Sequence, residues 1–146
     1  MDWVEMVHYQ QQMQKLSRIL LPAKSRTLTS SECELLAWLY LNPQQNTLVM
    51  LSRCSGMKKE AVSRCLKSLF EKGCILKEKQ ADDERSYALS LTEQGREELK
   101  RGYEAILKPF YALWRAQGAR FEQFLKLADQ IVEQSQIQEE LSLIHI

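Results

Sequence analysis

One stretch, Thr47 to Gly95, constrains the fold more than the rest of the chain. It reads as a short helix capped by Asn46 or Thr47, a turn at Ser55-Gly56, and a second helix over Lys58 to Lys72. A short strand follows over Cys74 to Lys79, then a charged tip, Ala81-Asp82-Asp83-Glu84-Arg85. Tyr87, Leu89 and Leu91 alternate with Ala88 and Ser90 as the returning strand, closed by Thr92-Glu93-Gln94-Gly95. In the second helix Val62, Leu66, Leu69 and Phe70 share one face at core spacing. Lys59, Ser63, Arg64 and Lys67 share the opposite face, and Gly73 stands where a left-handed cap is needed.

This order is the layout of a winged helix-turn-helix, which lays one helix in the major groove and a β-tip beside it. The flanking sequence is helical. Residues 1–20 repeat apolar positions at Trp3, Met6, Met13, Leu16 and Ile19, and Pro22 ends that run. Thr29-Ser30-Ser31-Glu32 is a capping box ahead of a largely apolar helix that Asn42-Pro43 stops. Thr92 opens a long helix with Leu99, Tyr103, Ile106, Phe110 and Leu113 on one stripe. Pro109 should kink or break it, and Gly118 ends it. Phe121, Leu125, Ala128 and Ile131 mark a last helix reaching about Gln138. The expected fold is mainly α with a small β-hairpin wing. It forms one domain over 1–146, with flanking helices at 1–28 and 96–140 around a winged-helix DNA-binding lobe at 29–95.

Composition permits this and excludes other classes. A chain of 146 residues can bury one full core. Five glycines and three prolines favour long helices over a turn-rich β fold. The formal charge of +1 names no partner, but Leu51 to Ser86 holds nine cations against six anions, a local +3. No run of about 18 apolar residues exists, so no membrane span is expected. Cys33, Cys54, Cys65 and Cys74 lack CxxC spacing and read as free thiols of a cytoplasmic protein. With only His8 and His145, neither a metal site nor a catalytic base is expected, and no cofactor.

The residues Val62-Ser63-Arg64, Leu69, Lys72-Gly73, Asp83-Glu84-Arg85-Ser86 and Leu89-Ser90-Leu91-Thr92-Glu93-Gln94-Gly95 together resemble the MarR family of bacterial transcriptional regulators. The likeness covers residues 29–100 by motif. At the start of the tip the family often has an aspartate where this chain has Gln80. The resemblance implies a homodimer on a pseudo-palindromic operator, commonly a repressor released by a small ligand. It implies that the Lys58–Lys72 helix reads the major groove, that the 80–86 tip enters the minor groove, and that the first helix and the last two build the dimer.

On the residues themselves, Lys58 and Lys59 suit phosphates, Ser63 and Lys67 add further contacts, and Arg64 can pair bidentately with guanine. Arg85 suits a narrow minor groove. The plain alternative is a solvated helix face and a polar hairpin tip. Tyr9, Trp38, Tyr40, Phe110, Tyr111 and Trp114 are candidates to line an apolar pocket for a small aromatic acid or lipophilic effector. The alternative for these six is core or interface packing. Two further readings stand beside the regulator: a winged-helix adaptor that binds protein, and a thiol-based redox regulator in which Cys65 is oxidised.

Overall fold

The computed structural model describes residues 1–21, 27–79 and 87–144, the last nine of these by backbone alone. The first helix, α1 (Trp3–Leu20), starts where Asp2 accepts a hydrogen bond from the Glu5 N–H at 2.9 Å. Only Leu20 on it is buried, and Trp3, Met6, Val7 and Met13 all face solvent. The capping box at Thr29 is complete: its hydroxyl accepts from Glu32 N at 3.1 Å, and the Glu32 carboxylate accepts from Thr29 N at 3.3 Å. It opens α2 (Ser30–Leu41), whose Cys33, Leu35, Leu36 and Leu39 enter the core from several sides.

Thr47, not Asn46, caps α3 (Leu48–Ser55), which ends on Gly56 at φ 73°. That left-handed step costs a glycine little, and it lets the chain turn within three residues into α4 (Lys59–Glu71). Ser52 Oγ donates to the Met57 carbonyl at 2.7 Å and Met57 N donates to Ser55 Oγ at 3.1 Å, which fixes the turn. Lys58, expected as the first helical residue, is instead the N-cap. At the far end Gly73 N donates to Phe70 O and Cys74 N to Leu69 O. With Gly73 at φ 72°, this pair of bonds is a Schellman closure.

The hairpin pairs β1 (Ile75–Lys79) antiparallel with β2 (Tyr87–Leu91), in the register Ile75↔Leu91, Lys77↔Leu89, Lys79↔Tyr87. Strand β1 begins one residue later than expected because Cys74 is spent on the helix closure. Leu89 N also donates to the Asn46 carbonyl at 2.8 Å, docking β2 on the segment before α3. One core joins α2, α3, α4, the hairpin and α5 (Glu93–Ile106) through Leu36, Leu51, Val62, Leu69, Ile75, Leu89 and Leu99.

The expected long helix after Thr92 is interrupted. Pro109 has no N–H for the Ala105 carbonyl, and its ring collides with that oxygen. So α5 stops at Ile106 and α6 (Lys108–Gln117) restarts after Leu107. Residues pack into two compact units, Met1–Leu107 and Lys108–Ile146. In the second, Gly118 at φ 53° turns the chain into α7 (Ala119–Ile144), six residues longer than the expected end at Gln138. Its inner ring is Phe121, 6.1 Å from Phe110 and 6.3 Å from Phe124 between centroids, and Trp114 Nε1 donates to Glu122 at 2.8 Å. No helix among the described residues is long and apolar enough to cross a membrane.

Candidate nucleic-acid interface

The amphipathic spacing of α4 sets up the site. Val62, Cys65, Leu66 and Leu69 are buried, while Lys58, Lys59, Ser63, Arg64 and Lys67 are exposed. Five of the six expected contact residues therefore stand together at the start and outer face of one helix. The sixth, Arg85, lies outside the described residues, as does the whole 80–86 tip. Among the described residues, the two ion pairs join Lys72 to Glu32 and Arg101 to Glu98, so neither occupies a cation of the α4 face.

What holds α4 in place is mostly what the sequence did not reveal. Glu32 is the one buried charged residue among those described. Its carboxylate accepts from Lys72 Nζ at 2.8 and 3.1 Å and from Ser68 Oγ at 3.2 Å, besides its capping bond. Lys72 Nζ also donates to the Thr27 carbonyl at 3.0 Å. Burial pushes the Glu32 carboxyl up, but the hydrogen bonds from Lys72 and Thr29, with the Lys72 charge, hold it on balance below the usual carboxylate range. The only trace of this in the sequence was Glu32 as a capping-box residue; its second role, thirty-six and forty residues away from its partners, left no local signal.

The Thr92-Glu93-Gln94-Gly95 run is a clamp on the same end of α4. Thr92 Oγ1 accepts from Gly95 N at 2.9 Å and donates to the Gly73 carbonyl at 2.7 Å. Gln94 Nε2 donates to the Lys72 carbonyl at 3.1 Å. Thr92 N donates to the Cys74 carbonyl, and a Cβ on Gly95 would run into that same carbonyl. The motif thus carries orphan carbonyls of the α4 terminus and starts α5 in one stroke.

The aromatic candidates divide. Tyr9 and Tyr40 are exposed and Trp38 is half-buried, all in the first unit. Phe110, Tyr111 and Trp114 belong to α6 in the second unit, where Tyr111 and Trp114 lie 6.4 Å apart. Tyr40 does line a cleft between α2 and α5, with Ala37, Leu41, Leu99 and Tyr103 as an apolar floor and Arg96 and Lys100 as cations. Tyr103, Arg96 and Lys100 were absent from the sequence-based set, because no periodicity marks which faces of two helices will oppose each other.

The thiols face inward. Cys33, Cys65 and Cys74 are buried, and Cys54 is half-buried. Burial pushes the Cys54, Cys65 and Cys74 thiols up, away from the thiolate a redox sensor needs.

Comparison with known proteins agrees with the geometry. The family model described as transcriptional regulator SarA/Rot matches residues 18–101, more than half of the chain. No curated protein matches the sequence. Among solved structures, the transcriptional regulator BldR of Sulfolobus solfataricus is 15% identical with a TM-score of 0.70, over 92% of this chain and 99% of that one. A cysteine-to-serine MarR variant from E. coli, complexed with operator DNA, is 20% identical with a TM-score of 0.63, over 88% of this chain and 91% of its own. The PcaV regulator of Streptomyces coelicolor, in complex with its natural ligand, is 18% identical with a TM-score of 0.61, over 88% and 89%. With a winged helix of the MarR type and that family match across it, the chain belongs to the SarA/Rot family of transcriptional regulators.

Proposed function

We propose that the protein binds double-stranded DNA as a homodimer on a pseudo-palindromic operator, and acts as a repressor released by a small ligand. The observation that carries the DNA reading is the exposed set Lys59, Ser63, Arg64 and Lys67 on α4, with Lys58 exposed at its N-cap, on a helix that buries Val62, Cys65, Leu66 and Leu69. Lys58 and Lys59 serve phosphates, Lys67 and Ser63 extend the footprint, and Arg64 reads a base edge. Arg85 supplies the minor-groove contact by resemblance alone. The complex of MarR with operator DNA supports the same use of the fold.

The dimer reading rests on apolar side chains left open in each unit: Trp3, Met6, Val7 and Met13 on α1, and Leu127, Ile131 and Val132 on α7. Residues 1–28 and 96–140 would then join the copies and residues 29–95 would meet DNA. The α2–α5 cleft suits an effector with an apolar ring and an anionic group, drawn by Arg96 and Lys100. A ligand there acts only if it prefers one spacing of the two lobes of the dimer. PcaV solved with its natural ligand supports an effector on this fold. The protein-adaptor reading loses ground to the cationic α4 face, and the redox reading to the buried thiols.

Genome-wide occupancy mapping in cells tests the reading. Enriched inverted repeats with half-sites about one helical turn apart are expected; occupancy without any shared motif contradicts it.

A further inference from the structure

The hairpin register places Ile75, Lys77 and Lys79 on the same face as Leu91, Leu89 and Tyr87. Ile75 and Leu89 are buried, so this is the face that meets the core. Lys77 therefore stands beside the apolar row Leu91, Leu89 and Tyr87 of the neighbouring strand. Its ammonium lies 4.1 Å from the centroid of the Tyr87 ring and 5.6 Å from that of Phe70. Phe70 belongs to the last turn of α4 and packs against the core. Neither ion pair among the described residues involves Lys77. The cation is thus held by two aromatic faces, one on the wing and one on the recognition helix.

A two-stranded ribbon has little stability of its own, so its direction is set where its base is packed. Ile75 and Leu89 fix the inner end. Lys77, across from Leu89 and lining the same cleft as Leu66, Phe70 and Tyr87, ties the hairpin to the last turn of α4. From this geometry we propose that Lys77 is a positioning residue, which sets the wing on α4 through Tyr87 and Phe70, and is not a DNA contact. The proposal rests on the DNA-binding reading only for its functional consequence; the contact stands independently of it.

Two readouts on the full chain test it. The first is hydrogen exchange of the β1 and β2 amides without DNA. Lys77→Gln and Tyr87→Leu should each speed exchange in the wing, while Lys77→Arg, whose guanidinium also stacks on rings, should leave it near the wild-type rate. Unchanged wing exchange in both Lys77→Gln and Tyr87→Leu overturns the proposal. The second is the affinity for a mixed-sequence duplex about three helical turns long, followed across salt. Lys77→Gln and Tyr87→Leu should each weaken binding by about twofold to fivefold, and the double variant by no more than the worse single one. Tyr87→Leu binding like wild type while Lys77→Gln lowers the salt slope by about one makes Lys77 a phosphate contact and overturns the proposal. A wild-type chain that binds no duplex, yet loses wing protection on Lys77→Gln, removes the DNA reading and upholds the positioning contact.

Discussion

Hydrogen-bonding side chains, Glu32 foremost, and one missing side chain decide how α4 is held. Gly95 has no room for a methyl group because the Cys74 carbonyl fills the space. Gly95→Ala should therefore cost about 2–3 kcal/mol, at the upper part of the range for overpacking, in urea unfolding; an unchanged midpoint would mean that α5 can slide without penalty. Glu32 carries the acid sensitivity. Its folded pKa is depressed, so its contribution is complete above the ordinary carboxylate range and is lost as pH falls through the folded value. Stability measured by denaturant from neutral to acid pH should fall on the acid side, and Glu32→Gln should flatten that limb while lowering stability at neutral pH. Identical pH profiles would remove Glu32 as its source. Neither residue's full role was legible beforehand. The capping box at Thr29 and Glu32 is a local pattern legible in the sequence, but the reach of Glu32 to Ser68 and Lys72 exists only after folding.

At the scale of elements, α4 was readable almost to the residue because its 3.6-residue periodicity and its closing Gly73 are local chemistry. The hairpin was readable from the alternation around Leu89, though not its anchor on the Asn46 carbonyl. The break at Leu107 followed from Pro109, whereas the extension of α7 to Ile144 did not, since no glycine or proline marks an end there. Sequence also could not say which candidate aromatics would meet, because that depends on how helices face each other. The functional claim at this scale concerns the outer face of α4. Arg64→Ala should weaken operator binding by about 1–3 kcal/mol and leave the dimer intact. Electrophoretic mobility shift with light scattering on the same sample checks both, and unchanged affinity at moderate salt rejects Arg64 as a base contact.

For the whole molecule, the proposed dimer assigns the open apolar side chains of α1 and of α7 to a contact between copies. Deleting residues 1–20 should yield monomers or aggregates, seen as a loss of the species at twice 17.1 kDa; a well-folded dimer from the shortened chain would take α1 out of the interface. The charge pattern makes a separate claim. Net charge is only +1, so binding must come from placement of cations and not from bulk attraction. The most direct test is a titration of the full chain with a mixed-sequence duplex at salt from about 50 to 200 mM. A log–log loss of affinity with a slope corresponding to several released counterions per protomer is expected. Binding that is absent at the lowest salt, or that does not change across the series, contradicts a cationic helix face laid on the phosphate backbone.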